Sequence, residues 1–93
     1  MNTSTLMGSI SGRVTTSSGE PLPGVVVTAE GPKIDDRTQV TNADGKYLYS
    51  HLLPGEHTVT FEMTGFNTVK IMIRVSPGQT EKPTTIMYPA TQE

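Results

Sequence analysis

Thr41 to His57, TNADGKYLYSHLLPGEH, is the stretch on which the fold turns, and it admits two opposed readings. Asp44, Glu56 and both histidines of the chain, His51 and His57, fall inside it, which invites a metal or catalytic site. The same residues also spell two tight turns joined by a strand. Asn42-Ala43-Asp44-Gly45 reads as a type I turn with glycine at the left-handed position of a bulged hairpin, where a side chain would be strained. Leu53-Pro54-Gly55-Glu56 suits a type II turn, since proline presets the first central residue and glycine accepts positive φ at the second. Between the two, Tyr47 and Tyr49 share one phase of a strand. A calcium loop of the EF-hand kind needs oxygen ligands at alternate positions and a closing glutamate. Here Val40 would open that loop and His51 would close it. Turn geometry accounts for every residue, so the stretch reads as two corners and the ribbon between them.

The same grammar repeats outward. Ser9 to Thr15 alternates Ile10, Gly12 and Val14 against Ser11, Arg13 and Thr15, and SSGEPLPG ends it. Val25 to Glu30 places Val25, Val27 and Ala29 in one phase. GPKIDD interrupts, and Arg37 to Thr41 is a weaker strand with Val40 as its apolar anchor. Beyond the opening stretch, His57, Val59, Phe61 and Met63 alternate with Thr58, Thr60, Glu62 and Thr64. Val69, Ile71, Ile73 and Val75 then alternate with Lys70, Met72 and Arg74, Ser76-Pro77-Gly78 turns the chain, and Thr84 to Tyr88 is the last strand. No segment carries helical spacing. Links this short favour antiparallel pairing, because parallel neighbours need a crossover of about a dozen residues or more. One apolar and one polar face per strand calls for two sheets packed face to face. The expected architecture is therefore all-β: a seven-stranded antiparallel Greek-key β-sandwich. Its core is expected from Ile10, Val14, Val27, Tyr47, Leu52, Val59, Phe61, Ile71 and Ile73, and its turns from Gly24, Gly45, Gly55, Gly65 and Gly78. Residues 1–7 and 89–93 read as tails around a domain over 8–88.

Composition narrows the function. The 93 residues suffice for one domain, and a chain this short buries only about 60 to 65% of its unfolded surface. With 33% hydrophobic and 17% charged residues, Gly 9 and Pro 7, it is turn-rich and too weakly charged for disorder. A net charge of -2 with 7 scattered basic residues gives no field for a phosphate backbone, so no nucleic-acid partner is expected. There is no cysteine for a disulfide or a thiolate metal site. The apolar runs fall far short of the roughly 20 residues that cross a bilayer, so no membrane insertion by this domain is expected.

ISGRVTTSSGEPLPGVVVTAEG, followed by TNADGKYLYSHLLPGEHTVTFEMTGF, resembles the carboxypeptidase regulatory-like domain, a transthyretin-like (prealbumin-like) sandwich. The motifs that carry the resemblance are Gly12 to Val14, Gly19 to Gly24, Asn42 to Tyr47, Leu52 to His57, and Gly65-Phe66. Two positions depart from it: Asn42 stands where aspartate is usual, and His57 where an aromatic ring is usual. The resemblance implies a non-catalytic accessory module of a larger secreted or cell-envelope microbial protein, placed extracellularly or in the envelope. It serves there as a spacer, folding support or docking domain for neighbouring domains or another protein, and is a monomer. The alternative is a module that recognises a glycan or peptide at a sheet face or edge.

No motif aligns an acid, base and nucleophile, so no catalytic residue and no cofactor are expected. His51, His57 and Glu56 are the candidate metal ligands, since two imidazoles and a carboxylate can hold zinc or copper; a third firmly placed ligand is missing, and no metal is expected. Hydroxyisourate hydrolases, which resemble transthyretin, need an early histidine and a C-terminal Tyr-Arg-Gly-Ser, whereas this chain ends MYPATQE. The isopeptide crosslink of Cna B-type relatives needs a first-strand lysine, and the first strand here carries Arg13. Tyr88 is the one candidate sugar platform outside the core phase. Val26, Leu48 and Met72 lie in the outward phase and, if neighbours, would form an apolar contact patch.

Overall fold

The computed structural model describes residues 6–31 and 34–90, with the side chains of residues 34–36 left out. Eight strands follow in order: β1 (Gly8–Thr15), β2 (Val26–Gly31), β3 (Ile34–Val40), β4 (Lys46–Leu52), β5 (Gly55–Glu62), β6 (Val69–Val75), β7 (Thr80–Glu81) and β8 (Thr84–Ile86). One sheet has β1 at its centre, with β4 on one side and both β7 and β8 on the other; the second runs β3-β2-β5-β6. The two sheets form the expected sandwich. β3 starts at Ile34, earlier than the expected Arg37, so less of GPKIDD interrupts the chain than the sequence suggested. The tail expected from Pro89 also starts later: Phe66 and Pro89 form a bridge, and the Ala90 amide donates to the Gly65 carbonyl at 2.9 Å. Residues 1–5 and 91–93 lie outside the described residues.

Every pairing is antiparallel except at the ends of the chain, where β7 and β8 both run parallel to β1. This corrects the all-antiparallel expectation. Short links constrain only consecutive strands, whereas β1 and β8 have the whole domain between them to serve as a crossover. β7 and β8 are one interrupted strand, which reconciles eight named segments with the seven expected. The break falls at Lys82-Pro83, where proline offers no N–H to the ladder. Ser9 still donates to Gln79 O at 2.9 Å and Arg13 to Pro83 O at 3.0 Å, so β1 is held on that flank across the gap.

The core holds Ile10, Val14, Val27, Tyr49, Leu52, Val59, Phe61 and Met87 with almost no exposure, and Ile71 packs against it half-buried. Rings reach into it by standing on glycines of the neighbouring strand. Tyr47 lies opposite Gly12, and a Cβ on Gly12 would meet the Tyr47 ring at 2.2 Å. The Tyr47 ring packs edge-on against Tyr49 and Phe61, at centroid distances of 6.1 and 5.6 Å. Gly45 has φ 72 and sits where a Cβ would lie 2.5 Å from the Val14 carbonyl, so the hairpin read from sequence needs glycine there twice over.

β3 anchors itself differently from the expectation. Val40 is 58% exposed and faces outward opposite Val26; the residue that turns inward is Thr41, 4% exposed. Its hydroxyl donates to Leu22 O at 2.6 Å and accepts from the Val25 amide at 2.9 Å, so a polar side chain is buried with both roles filled. It thereby pins the Glu20–Val25 turn to the end of β3. Thr41→Val keeps the shape and strands a buried amide and carbonyl, and should cost about 2 to 3 kcal/mol. Gly12→Ala should cost about 1 to 3 kcal/mol through overpacking against Tyr47. Urea unfolding of the two variants beside the parent chain measures both.

Candidate functional site

The structure does not bring the candidate metal ligands together. His57 is an inward residue of β5 with no exposed surface, its ring lying on Gly31 where a Cβ would come within 2.1 Å of Nδ1. Its Nε2 lies 2.7 Å from the Leu53 carbonyl, which can only accept, so the proton sits on Nε2. Nδ1 is buried without a partner. His57 thus fills the ring position the resemblance assigns to an aromatic, and spends its one N–H tying down the β4–β5 turn. Glu56 precedes it on the strand and points to the opposite, solvent face, across from Arg74. His51 is exposed, with Nδ1 3.2 Å from Ser50 Oγ. Among the described residues, no group of three or more His, Asp or Glu side chains is placed to hold a metal ion.

His51 has a structural task that its sequence does not advertise. Gly8 pairs with Leu52 and Ile10 with Tyr49, so β4 carries one residue more than β1 between those pairs. The bulge is absorbed at His51, whose φ of 61 is the one positive value at a non-glycine residue in the described chain.

The densest polar arrangement lies along the seam between β3 and β4, the facing edge strands of the two sheets. The Lys46 amide donates to Asn42 Oδ1 at 3.0 Å, and the Lys46 carbonyl accepts from the Asn42 amide at 3.1 Å. Two residues on, the Leu48 amide donates to Gln39 Oε1 at 3.1 Å while Gln39 Nε2 donates to Leu48 O. Two further on, Arg37 Nη2 donates to Ser50 O at 2.8 Å. The Gln39 carboxamide thus stands where the peptide group of a neighbouring strand would. Behind it, Tyr49 crosses from β4 to the other sheet, where its one hydroxyl proton is shared between Val27 O at 2.7 Å and Arg37 O at 2.8 Å. The Arg37 guanidinium lies over the Tyr49 ring, 5.7 Å from its centroid. Burial pushes the Tyr49 phenol up to about 12, against a smaller downward pull from Arg37 and a backbone hydrogen bond at Gln39. Burial raises Tyr47 further, and its hydroxyl has no partner. This seam was missed in the sequence because long polar side chains alternating on a strand look the same whether they face water or cap an edge.

The outward apolar residues divide between faces. Leu48, 53% exposed, lies on the outer face of the β1 sheet, while Val26 and Met72 lie on the outer face of the other. Val26 pairs with Glu62 on β5, whereas Met72 pairs with Thr58, four residues away along that strand. The expected patch of Val26, Leu48 and Met72 therefore does not form: strand register sets Met72 apart, at 66% exposure. Val40 takes its place, paired with Val26 and lining a shallow groove with Leu48, Gln39, Asn42, Lys46 and Ser11. A second groove on the outer face of the β1 sheet is lined by Arg13, Lys46, Lys82 and Thr84.

These features define a transthyretin-like sandwich whose recognisable residues are spent on corners, ring packing and edge capping. The family profile of the carboxypeptidase regulatory-like domain matches residues 9–87, and the chain belongs to that family. The TonB-dependent transporter Oar of Myxococcus xanthus is 38% identical over 64 residues, covering 68% of this chain and 6% of the transporter. Among solved structures, the Bacillus anthracis TIE protein superposes with TM-score 0.81 at 18% identity, over 91% of this chain and 17% of that one. Catechol 1,2-dioxygenase from Pseudomonas arvilla C-1 gives 0.78 at 9% identity, over 98% of this chain and 55% of the enzyme. At such identities the likeness is one of fold alone. The chain spans a small part of the transporter and of the TIE protein.

Two outcomes follow. The unfolded chain ionises its tyrosines near pH 10, whereas folding holds Tyr49 protonated to about pH 12. Stability is therefore fully present below pH 10 and falls as pH rises from there toward 12. Denaturation midpoints measured across that range should drop for the parent chain and drop less for Tyr49→Phe. His51→Gly should be neutral or stabilising by up to about 1 kcal/mol, because it relieves a left-handed β-carbon; thermal unfolding at neutral pH reads it out.

Proposed function

We propose that this chain is a non-catalytic accessory module of a larger exported microbial protein of the cell envelope, a monomeric spacer that also supports neighbouring domains. The observation that carries this reading is the use to which the family's own residues are put. Gly12 receives Tyr47, Gly45 closes a hairpin, Asn42 caps it and the ring at position 57 packs on Gly31. A module defined by such residues is defined by its shape. The match to a TonB-dependent transporter supports the envelope setting, and the small share of that protein covered supports a role as one part among several. The domain proper runs over residues 8–90, two residues beyond the boundary read from sequence. The contact surface toward a neighbouring domain is the Val26, Val40 and Leu48 side rather than a patch including Met72.

Glycan or peptide recognition is the weaker reading. Of the sheet edges where a peptide strand could add, the β4 edge already has its groups engaged by Asn42, Gln39 and Arg37, which leaves β6 and β7/β8 as the edges such a peptide would have to use. The test is made in the full-length protein that carries this domain. Excising residues 8–90 should lower its surface level or activity, and an unrelated sandwich of equal end-to-end length should restore most of the loss. Excision without effect would end the accessory reading. Failure of the substitute, together with loss on Leu48→Asp, would replace the spacer by a specific docking domain.

A further inference from the structure

The path of the chain through the sandwich has a mechanical consequence. β1 starts at Gly8 beside Val75 and the turn before β7, and ends at Thr15 beside Ile86. β7 and β8 run in the same direction, and the chain leaves past Tyr88 and Ala90, which hydrogen-bond to the β5–β6 loop at that far end. The chain therefore enters and leaves at opposite ends of the sandwich, separated by at least the length of β1, about 26 Å for its eight residues. The two terminal strands that span this length are parallel neighbours.

We propose that the domain is built to bear tension between its two ends, with the β1–β7/β8 seam as its clamp. Force pulling the ends apart runs along both strands and perpendicular to the bonds between them. The bonds Ser9 N–H to Gln79 O, Arg13 N–H to Pro83 O and Met87 N–H to Thr15 O then share the load and must shear together. Central placement adds to this, because β1 is also paired with β4 from Gly8 to Arg13, so it cannot slide without breaking a second ladder. Ile10 and Val14, both fully buried, anchor it in the core. Opening β1 and β8 from one shared end would instead break the same bonds one after another, at low force.

This inference rests on the in-line spacer reading and gives it a purpose, yet it is tested on the 93-residue chain alone. The sequence has no cysteine, so Ser17→Cys, in the exposed turn after β1, creates a unique attachment thiol. Single S17C molecules are pulled either between the N- and C-terminal ends or between the S17C thiol and the C-terminal end. The same folded molecule is used in both arms, so thermodynamic stability is identical and only the direction of force differs. The end-to-end arm should unfold at several-fold higher force than the arm that opens β1 and β8 from their shared end. Equal forces, or a weaker end-to-end arm, would overturn the clamp. A strong clamp in a domain whose excision has no effect on its parent protein would leave this inference standing and remove the spacer reading.

Discussion

Rings standing on glycines of the neighbouring strand order the core of this sandwich. Two sheets carrying ordinary side chains pack about 10 Å apart, and a small core gains most by filling that gap with aromatic volume. A tyrosine ring laid across the neighbouring strand needs somewhere to go. At Gly12 the missing side chain makes that room for Tyr47, whose edge then meets Tyr49 and Phe61. At the other end of the core Gly31 does the same for His57, with an imidazole as the ring. Each pair crosses between neighbouring strands, so it fixes register: a slip by one residue would take the ring off its glycine and turn it to the other face of the sheet.

Tyr49 adds a polar tie to this apolar arrangement. Its hydroxyl reaches the carbonyls of Val27 and Arg37 on the opposite sheet, and Arg37 returns across the seam to the Ser50 carbonyl. Gln39 and Asn42 continue the same stitching along the β4 edge. An unpaired strand edge is a template for unwanted pairing, and here side chains of the other sheet occupy it. The sandwich is thereby closed on one side without becoming a barrel. On the opposite side β7 and β8 cover β1, so the first and last strands of the domain are neighbours along their length.

Because the shape is set by these inward residues, the outer surfaces are little constrained by the fold. Arg13, Lys46 and Lys82 gather on one outer face, and Val26, Val40 and Leu48 wrap the seam between the faces. Arg13 and Lys46 sit within the motifs that carry the family resemblance, and Val26, Val40, Leu48 and Lys82 lie outside them.

Much of this was legible in the residues alone. Period-two alternation placed Ile10, Val14, Val27, Tyr47, Leu52, Val59, Phe61 and Ile73 in the core, because a strand has only two faces and apolar area decides which is buried. Proline and glycine placed the corners, since those turns depend on backbone angles that few other residues accept. What local rules could not reach were the pairings between residues distant in the chain. The parallel join of β1 to β8, the inward turn of Thr41 in place of Val40, the separation of Met72 from Val26, and the burial of His57 away from His51 and Glu56 all depend on which strands become neighbours and in what register. Those choices are made by the packing of the whole core, so only the assembled tertiary structure settles them.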